Sequence, residues 1–532
     1  MSTLTESAPV SIDPTSPAKR RSDYQRLADL VRTSAPREQI AVISPLDGTT
    51  VGTIPHCSVE DVETAVQRAR TAQSLWAALP LSERVKPFIA AHTMFLDSRY
   101  AFSDIIQLEN GKSRVHALLE SFDAAINSRY YAFNARKYIG TKRVLGAFPP
   151  FTRTTEVRHP WGVVGMISPW NYPLTLTIPD VIPALIAGNT VVLKPSELTP
   201  FTVLMGLELL RKAGVPEDVF QVVTGEGHTT GSALVERSDF VMFTGSTAVG
   251  RKVAEQCARR LIPYSMELGG KNPAIILDDV DVDKSIAALM DGTIVGGGQT
   301  CVSYERLYVH DKVYDTFVPR LAEAMKATKL GTSLTDMHQD MGPLISQTHF
   351  QKVKSHVDDA KLKGARVLAG GNPRPEFGPT CYEPTLLENV TPDMTLYGIE
   401  TFGPVLSVYR VASDAEAVAA CNDSPFGLHA SVFGRNTRRA HTLAQQIHAG
   451  TVSINENYKA VWASMNSTQG GFKQSGSGRR HGREGITKYT QTQNISTQYV
   501  LPLSPSRLLP PERWDRFFGL VLRVMRYIPG LR

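Results

Sequence analysis

Short apolar segments alternate with helix-forming segments over most of the chain, and this alternation is the strongest constraint on its fold. One series of apolar segments falls between residues 163 and 267, and a second falls between 274 and 454. Strands separated by helices pair in parallel, because each helix carries the chain back across the sheet. The sequence therefore predicts an α/β fold with two parallel-sheet units. The predicted strands are 163–168, 190–194, 219–224, 240–244, 261–267, 274–277, 305–310, 404–411, 430–434 and 451–454.

The segment before residue 163 has a different organisation. Residues 1 to about 22 are rich in Ser, Thr and Pro, which predicts disorder, and we treat 1–37 as a disordered segment and lead-in. Asp47-Gly48 predicts a hairpin turn. Ser58 and Asp61 form a possible capping box for a helix that runs to about Trp76. Further helices are predicted near 82–97 and 115–138.

Composition excludes several classes of protein. The 532 residues predict two or three domains, and 42% apolar with 20% charged residues is ordinary for a globular protein. The formal charge of +6 is not concentrated in a basic, aromatic-rich stripe, so we expect no nucleic-acid partner. The five cysteines are scattered without a CxxC pair, which argues against a metal site or a disulfide framework and favours a reducing cytoplasm. We find no secretory signal and no membrane span.

Cys301 is the candidate nucleophile. It follows Gly296, Gly297 and Gly298 closely, and consecutive glycines allow backbone conformations that other residues avoid. A cysteine at such a bend can face a cleft, with its own N–H beside the thiolate. The alternative is a buried, inert cysteine, as most free cysteines are. Glu267, which precedes a Gly-Gly turn, is the candidate base.

Three loops that follow predicted strands have functional composition. Asn171 in the first offers an amide donor between prolines. Lys194 and Glu197 in the second place a cation and a ribose-binding carboxylate at a strand end. In the third, Gly245 lacks a side chain and Ser246 can cap a helix whose N-terminus attracts a pyrophosphate. Alone, the first loop is better explained as a Pro-rich turn, the second is equally explained as a solvated strand end, and the third is a weak signal.

Together these segments resemble the aldehyde dehydrogenase superfamily, and the similarity covers about residues 38 to 500. Seven motifs occur in order, which makes a chance match very improbable. The motifs are Pro169-Trp-Asn-Tyr-Pro173, Lys194-Pro-Ser-Glu197, Phe243-Thr-Gly-Ser246, Glu267-Leu-Gly-Gly-Lys-Asn-Pro273, Gly298-Gln-Thr-Cys301, Glu400-Thr-Phe-Gly-Pro404 and Gly470-Gly-Phe-Lys-Gln-Ser-Gly476.

The resemblance implies a mechanism. The Cys301 thiolate attacks an aldehyde carbon, and the oxyanion is held by the Asn171 amide and the Cys301 backbone N–H. Hydride transfer to a nicotinamide leaves a thioester, which water activated by Glu267 hydrolyses. Relatives that pass the acyl group to coenzyme A typically lack this glutamate, so we expect hydrolysis. Esterase activity without nicotinamide is a possible side activity, and a non-catalytic relative is the alternative.

The resemblance also implies a dinucleotide site. Glu197 accepts from a ribose 2′-hydroxyl and repels a 2′-phosphate, which favours NAD, whereas Lys194 favours NADP. Both cofactors stay open. The implied cofactor-binding residues are Trp170, Asn171, Lys194, Pro195, Ser196, Glu197, Gly245, Ser246, Leu268, Glu400 and Phe402.

The implied architecture is an aldehyde dehydrogenase-like α/β fold with three parts. These are a Rossmann-type cofactor domain (38–140 and 159–269), an α/β catalytic domain (270–487) and oligomerisation strands (141–158 and 488–500). We expect the strands to pair between subunits of a homodimer or homotetramer.

The closest resemblance is to bacterial, especially actinobacterial, succinate-semialdehyde dehydrogenases, and it extends to the Asn455–Ser464 loop and Gly478–Gly482. Arginines that hold the distal carboxylate in well-known enzymes of this group are replaced here by Pro179 and Val295. Lys459 and His429 are the candidate replacement cations. Without them an uncharged aliphatic or aromatic aldehyde is the better substrate, with Tyr172 and Trp462 in the pocket.

Residues 501–532 form a basic tail with an amphipathic pattern. Such a helix can lie on an anionic membrane surface. The alternative, which the sequence favours, is packing on the protein's own dimer, because apolar helix faces usually bury within a fold or oligomer.

Overall fold

The computed structural model describes residues 17–147, 151–499 and 503–528, with side chains from Ser22 onward. The first element is α1 (Pro17–Ala28), whose Tyr24 and Leu27 are buried. The Tyr24 ring lies 4.7 Å from that of Phe201, so the helix packs on the body of the protein. The predicted disorder is therefore wrong for residues 17–22, while residues 1–16 lie outside the described residues.

The predicted hairpin and capping box are confirmed. Strand β1 pairs antiparallel with β2 across the Asp47-Gly48 turn. The Ser58 side chain accepts from Asp61 N, and the Asp61 carboxylate accepts from Ser58 N. Helix α5 was not predicted, because Phe102 to Asn110 are buried on all sides and show no single apolar face. The elements are β1 (Gln39–Ile43), β2 (Thr50–Pro55), α2 (Val59–Ala78), α3 (Leu81–Arg84), α4 (Lys86–Asp97), α5 (Arg99–Asn110) and α6 (Arg114–Ile139).

The first parallel sheet has the strand order β9-β8-β5-β6-β7 and is buried on both faces. Its strands agree with the predicted ones to within three residues at each end. The elements are β3 (Lys142–Leu145), β4 (Thr152–Pro160), β5 (Val163–Ile167), α7 (Ile178–Ile186), β6 (Thr190–Lys194), α8 (Pro200–Lys212), β7 (Phe220–Val222), α9 (Ser232–Val235), β8 (Phe240–Thr244), α10 (Thr247–Arg259) and β9 (Tyr264–Glu267).

The second sheet has the order β12-β13-β14-β11-β10-β16-β17, in which β12 alone is antiparallel to its neighbour. Strands β12 and β13 were not predicted. The elements are β10 (Asn272–Ile276), α11 (Val282–Ile294), β11 (Tyr304–His310), α12 (Asp311–Lys326), α13 (Gln347–Leu362), β12 (Arg366–Ala369), β13 (Thr385–Glu388), α14 (Thr395–Gly398), β14 (Val405–Val411), α15 (Asp414–Asn422), β15 (Phe426–Gly427), β16 (His429–Phe433), α16 (Thr437–Ala444) and β17 (Thr451–Ile454).

The chain then returns to the first sheet. Gly476 pairs with Glu267 in an antiparallel contact, and Ile486 and Tyr489 join the first core. Part of the range assigned to the catalytic domain therefore packs with the first unit. The remaining elements are α17 (Tyr458–Ala463), β18 (Phe472–Lys473), β19 (Gly476–Ser477), α18 (Gly482–Thr487), β20 (Thr490–Gln498) and α19 (Pro511–Met525).

The predicted oligomerisation segments form a three-stranded antiparallel sheet of order β20-β4-β3. Strands β4 and β20 pair within one chain, from Thr152 opposite Gln498 to Pro160 opposite Thr490. Pairing between subunits stays a prediction. Among the described residues, no helix is long and apolar enough to cross a bilayer. The predicted α/β class with two parallel sheets is confirmed.

Candidate active site

Cys301 lies where two cavities meet. Gly296, Gly297 and Gly298 have φ of 59°, 71° and 70°, in the left-handed region that glycine tolerates, so the chain turns sharply before the cysteine. A side chain at position 298 would collide with the Gly403 backbone. The Cys301 carbonyl accepts from Asn272 Nδ2 at 2.8 Å, which fixes the loop that carries the thiol.

The polar cavity, on one side of Cys301, contains most of the predicted cofactor residues. The residues that were predicted and line it are Trp170, Asn171, Gly245, Ser246, Glu267, Leu268, Cys301, Glu400 and Phe402. These side chains come from the ends of β5, β8 and β9 and from the second unit, so the tertiary fold assembles residues that are up to 232 positions apart, Trp170 to Phe402.

Glu267 is the last residue of β9 and is buried. Burial raises the pKa of its carboxyl group to about 7, although the Arg480 cation acts in the opposite direction. Its Oε1 has no hydrogen-bond partner in the part of the chain that the structure describes. A general base that works near neutral pH needs a pKa of this size.

The Asn171 side chain is hydrogen-bonded to the loop that carries Cys301. Its Nδ2 donates to the carbonyl of Gln299 at 2.9 Å, two residues before Cys301. Asn110 Nδ2 donates to the Trp170 carbonyl at 2.8 Å and thereby holds the loop from the other side. A side-chain amide carries two N–H groups, so one remains for a ligand.

Burial raises the pKa of the Cys301 thiol to about 12, and the Arg480 cation is the first of the influences that lower it. Arg480 donates to Asp180 at 2.7 Å and to Thr244 Oγ1 at 2.6 Å. Sequence reasoning quoted the Gly478–Gly482 motif without assigning Arg480 a role. The feature of the sequence that could have indicated a role for Arg480 was the pair Arg479-Arg480 between Gly478 and Gly482.

Glu400 and Phe402 form the far wall of the polar cavity. Glu400 Oε1 accepts from Gly270 N at 2.8 Å, and burial raises the pKa of its carboxyl group to about 7. The Phe402 ring packs edge-on against Trp170 at 5.5 Å. Glu305, which sequence reasoning missed, accepts from Phe402 N at 2.9 Å and holds this loop.

The polar cavity fits a nicotinamide dinucleotide. A side chain at Gly269 would collide with the Glu400 carboxylate, so the bare backbone keeps the space open. Ser246 caps α10 through Val249 N, and the free N–H groups of this helix start can meet a phosphate.

Lys194 to Glu197 lie at the carboxyl end of β6, outside the residues that line the polar cavity. The Lys194 ammonium pairs with the Glu197 carboxylate at 3.0 Å, and Ser168 N donates to the Lys194 carbonyl at 3.1 Å. Pro195 and Ser196 connect the pair. Their contact with a ribose stays a prediction.

The apolar cavity, on the other side of Cys301, is lined by aliphatic and aromatic side chains and has a volume of about 180 Å³. Tyr172 and Trp462 line it as predicted. The Tyr172 hydroxyl accepts from Thr300 Oγ1 at 3.1 Å, and the buried Lys112 ammonium lies 3.4 Å from the centre of its ring.

Lys459 also lines the apolar cavity, but its ammonium already donates to Asp291 Oδ2 at 2.5 Å. Hydrogen bonds from His116 and Lys459 and the charge of Lys459 outweigh burial and hold the pKa of the Asp291 carboxyl group well below its ordinary value. Lys459 is therefore one half of an ion pair at the cavity wall.

The assignment of His429 to the substrate pocket is wrong. His429 begins β16 and is buried, lining neither cavity. Its Nδ1 lies 3.0 Å from Thr451 Oγ1, and burial lowers the pKa of its imidazole to about 3. Side chains alternate across a strand, and at this position the side chain points into the sheet packing.

Two carboxylates on the apolar cavity wall were missed by sequence reasoning. Asp123 Oδ1 accepts from Trp462 Nε1 at 2.8 Å, whereas Oδ2 accepts no bond among the described residues. Burial raises the pKa of Asp123 to about 7. Glu120 pairs with Lys112 and accepts from Leu174 N at 2.9 Å. Both lie on α6, whose sequence shows no motif that marks them.

The family comparison agrees with this geometry. Residues 31–495 match the model described as the aldehyde dehydrogenase family. The chain belongs to the aldehyde dehydrogenase family. It is 44% identical to the putative succinate-semialdehyde dehydrogenase [NADP(+)] of Mycolicibacterium smegmatis over 521 residues, which cover 97% of this chain and 100% of the relative.

Solved structures of the family show the same fold. An NADP-dependent enzyme of E. coli superimposes with a TM-score of 0.82 at 33% identity, covering 88% of this chain and 99% of the other. The betaine aldehyde dehydrogenase of Staphylococcus aureus in complex with NAD+ superimposes with a TM-score of 0.83 at 30% identity, covering 90% of this chain and 98% of the other. The chain is thus an enzyme of this family.

Proposed function

We propose that this aldehyde dehydrogenase oxidises an aldehyde to a carboxylate with NAD+ or NADP+ through a thioester on Cys301. The observation that carries the proposal is the position of Cys301 between two cavities, one apolar and one containing Glu267 and Asn171. A substrate that enters from the apolar side meets the thiol, and a cofactor on the polar side faces the same atom.

Acylation begins when the Cys301 sulfur adds to the aldehyde carbon. The thiol proton leaves to solvent in this step, so Glu267 stays ionised for the later hydrolysis. The oxyanion that forms accepts from Asn171 Nδ2 and from the Cys301 backbone N–H. These donors are fixed before the reaction, because Gln299 and Asn110 hold the Asn171 loop.

The residues around the polar cavity would hold the dinucleotide. Glu400 would bind the nicotinamide-side ribose, Trp170 and Phe402 would flank the ring, and Ser246 would lie beside the pyrophosphate. When bound, the nicotinamide supplies the hydride acceptor. The names of the relatives support NADP+ and the staphylococcal complex supports NAD+. The Lys194–Glu197 pair offers a cation for a 2′-phosphate and an acceptor for a 2′-hydroxyl.

Hydrolysis completes the cycle. Glu267, as carboxylate, takes a proton from water that attacks the thioester carbon, and the Cys301 thiolate leaves. Because the carboxyl group is buried and has a pKa of about 7, it is ionised in about half of the molecules at neutral pH. Glu267 then returns its proton to Cys301 or to solvent.

Succinate semialdehyde is the first candidate substrate, and the names of the relatives support it. Lys459 would bind the distal carboxylate, since it is the cation among the described residues that line the apolar cavity. To bind it, the Lys459 ammonium must either contact the substrate carboxylate while it keeps its ion pair with Asp291, or break that ion pair.

An uncharged aldehyde is the second candidate. The cavity wall is mostly apolar, Lys459 is already paired, and Asp123 and Glu120 place carboxyl groups on the same wall. A substrate carboxylate would be repelled by an ionised Asp123, whereas butanal or benzaldehyde would not.

The decisive assay compares kcat/KM for succinate semialdehyde, butanal and benzaldehyde, each with NAD+ and NADP+. If Lys459 binds the carboxylate, Lys459→Met lowers kcat/KM for succinate semialdehyde by about tenfold to a hundredfold, the value of a charged hydrogen bond. The same substitution should leave kcat/KM for butanal within about twofold of the wild-type value, because butanal has no carboxylate for Lys459 to bind. Lys459→Arg, which keeps the charge, is the matched control.

Equal losses for all three aldehydes would contradict a carboxylate-binding role for Lys459. A wild-type preference for butanal or benzaldehyde would establish the uncharged substrate. Cys301→Ala should abolish oxidation of every aldehyde, and retained turnover would refute the proposed mechanism.

We also propose a cytoplasmic homodimer or homotetramer. The five free cysteines favour a reducing compartment. The free edge of β3 and the exposed side chains of β20 offer a pairing surface for another subunit. Light scattering on the purified protein would test the subunit number.

A further inference from the structure

The cation on the wall of the apolar cavity is held by a carboxylate from another helix. Lys459 is on α17 and lines the cavity, whereas Asp291 is on α11. The Lys459 ammonium donates to Asp291 Oδ2 at 2.5 Å, and Asn457 Nδ2 donates to the same oxygen at 2.6 Å. Asn457 also caps α17, because its side chain accepts from Lys459 N at 3.0 Å. Asn457 therefore fixes both members of the ion pair.

The other oxygen of Asp291 faces a histidine that carries no charge. Asp291 Oδ1 lies 3.8 Å from His116 Nε2. Gly296 N donates to His116 Nδ1 at 3.3 Å, so Nδ1 is the acceptor and the ring proton is on Nε2, towards Asp291. Burial lowers the pKa of the His116 imidazole, which keeps the ring neutral at pH 7. Among the described residues that contact Asp291, Lys459 is therefore the one that balances its charge.

Two ion pairs lie beside the apolar cavity, and they differ in exposure. The Lys112 and Glu120 side chains are 1% and 0% exposed, so this pair is closed to other partners. The Lys459 and Asp291 side chains are 35% and 34% exposed, so either charge can meet a solute. Because each pair contains one cation and one anion, the two pairs add no net charge to the wall. Removal of one member of the exposed pair would leave the other as a free charge.

We propose that Asp291 determines which aldehydes the apolar cavity accepts, by cancelling the charge of Lys459 on the cavity wall. This inference rests on the proposed oxidation of an aldehyde at Cys301. With the pair intact, a substrate carboxylate competes with Asp291 for the Lys459 ammonium. Without the Asp291 charge, the ammonium is free to bind a carboxylate at the distal end of the substrate. Without the Lys459 charge, the Asp291 carboxylate attracts a distal cation instead.

The test compares kcat/KM for succinate semialdehyde, butanal and 4-trimethylammoniobutanal, which differ in distal charge. Each charged aldehyde is expressed as a ratio to butanal, because the ratio cancels changes at Cys301. Asp291→Asn, which keeps an acceptor for Asn457, should raise the ratio for succinate semialdehyde about threefold to tenfold, since the pair is partly screened by solvent. Lys459→Met should raise the ratio for the trimethylammonio aldehyde by a similar factor. Asp291→Glu, which keeps the charge, is the matched control and should keep the wild-type ratios.

The double variant Asp291→Asn/Lys459→Met shows whether the two charges cause these gains. It has neither charge, so both ratios should return to within about twofold of the wild type. A gain that persists in the double variant would overturn the proposal, and so would unchanged ratios in both single variants.

Binding of succinate, measured by calorimetry without cofactor, makes the same comparison without turnover. Asp291→Asn should bind succinate several-fold more tightly than the wild type, and the double variant should lose this gain. Equal affinities of Asp291→Asn and the wild type would overturn the proposal. The expected succinate affinities in a protein that oxidises no aldehyde would refute the chemistry at Cys301 and support the role of Asp291.

Discussion

Replacing Glu267 by Gln should separate the two halves of the reaction. Glutamine keeps the shape of the side chain but cannot accept a proton, so acylation of Cys301 continues more readily than hydrolysis. General-base catalysis contributes about 10² to 10⁴ in rate, so the hydrolytic step should slow by that factor, about 3 to 5 kcal/mol of barrier.

The pH dependence of the hydrolytic rate provides a second quantitative expectation. With a pKa of about 7, Glu267 is half ionised at pH 7 and about one tenth ionised at pH 6. The hydrolytic rate of the wild type should therefore fall about fivefold from pH 7 to pH 6 and level off above about pH 8. The residual rate of Glu267→Gln should lack this dependence.

Rapid mixing with saturating aldehyde and cofactor checks both expectations. The variant should release about one NAD(P)H per active site in a burst and then turn over slowly, as expected when an acyl-enzyme accumulates. Glu400→Gln is the comparison variant: Glu400 lies in the same cavity with a carboxyl pKa of about 7 but is assigned to the cofactor ribose, so its loss should not produce a burst followed by slow turnover. A variant with the wild-type linear phase and pH profile would refute the assigned role.

Three further predictions follow from the described contacts. Asn171→Ala should slow the acylation burst by about 10² to 10³ through loss of an oxyanion donor, and an unchanged burst rate would contradict that role. Arg480→Met should raise the pKa of the Cys301 thiol, seen as an upward shift in the pH dependence of its alkylation, whereas Arg480→Lys should not. The raised pKa of Asp123 means that ionisation destabilises the fold as pH rises from about 4 to about 7. Asp123→Asn should therefore raise the melting temperature at pH 8, by the equivalent of at most about 4 kcal/mol, with little gain near pH 4; equal gains at both pH values would contradict this.

The pattern of apolar residues and local capping chemistry predicted the strands and helices that carry one clear sequence signal. The buried strands between 163 and 267 are continuous apolar runs, and the Ser58–Asp61 capping box marks a helix start by local chemistry alone. Helix α5 and strand β13 were missed because burial on all sides removes the polar face that makes a period visible. The disorder expected up to residue 22 was wrong for 17–22, which begin a helix that is anchored farther along by the packing of Tyr24 on Phe201.

The sequence by itself determined the parallel α/β class and marked Cys301, Glu267 and Asn171 as candidate catalytic residues, because those depend on local pattern and on ordered motifs. Only the tertiary structure decided which distant side chains share a cavity. It removed His429 from the substrate pocket, paired Lys459 with Asp291 and placed Asp123 and Arg480 at the site. The physical reason is that burial, pKa and ion pairing depend on neighbours in space, and neighbours more than 100 positions apart leave no periodic trace in a chain.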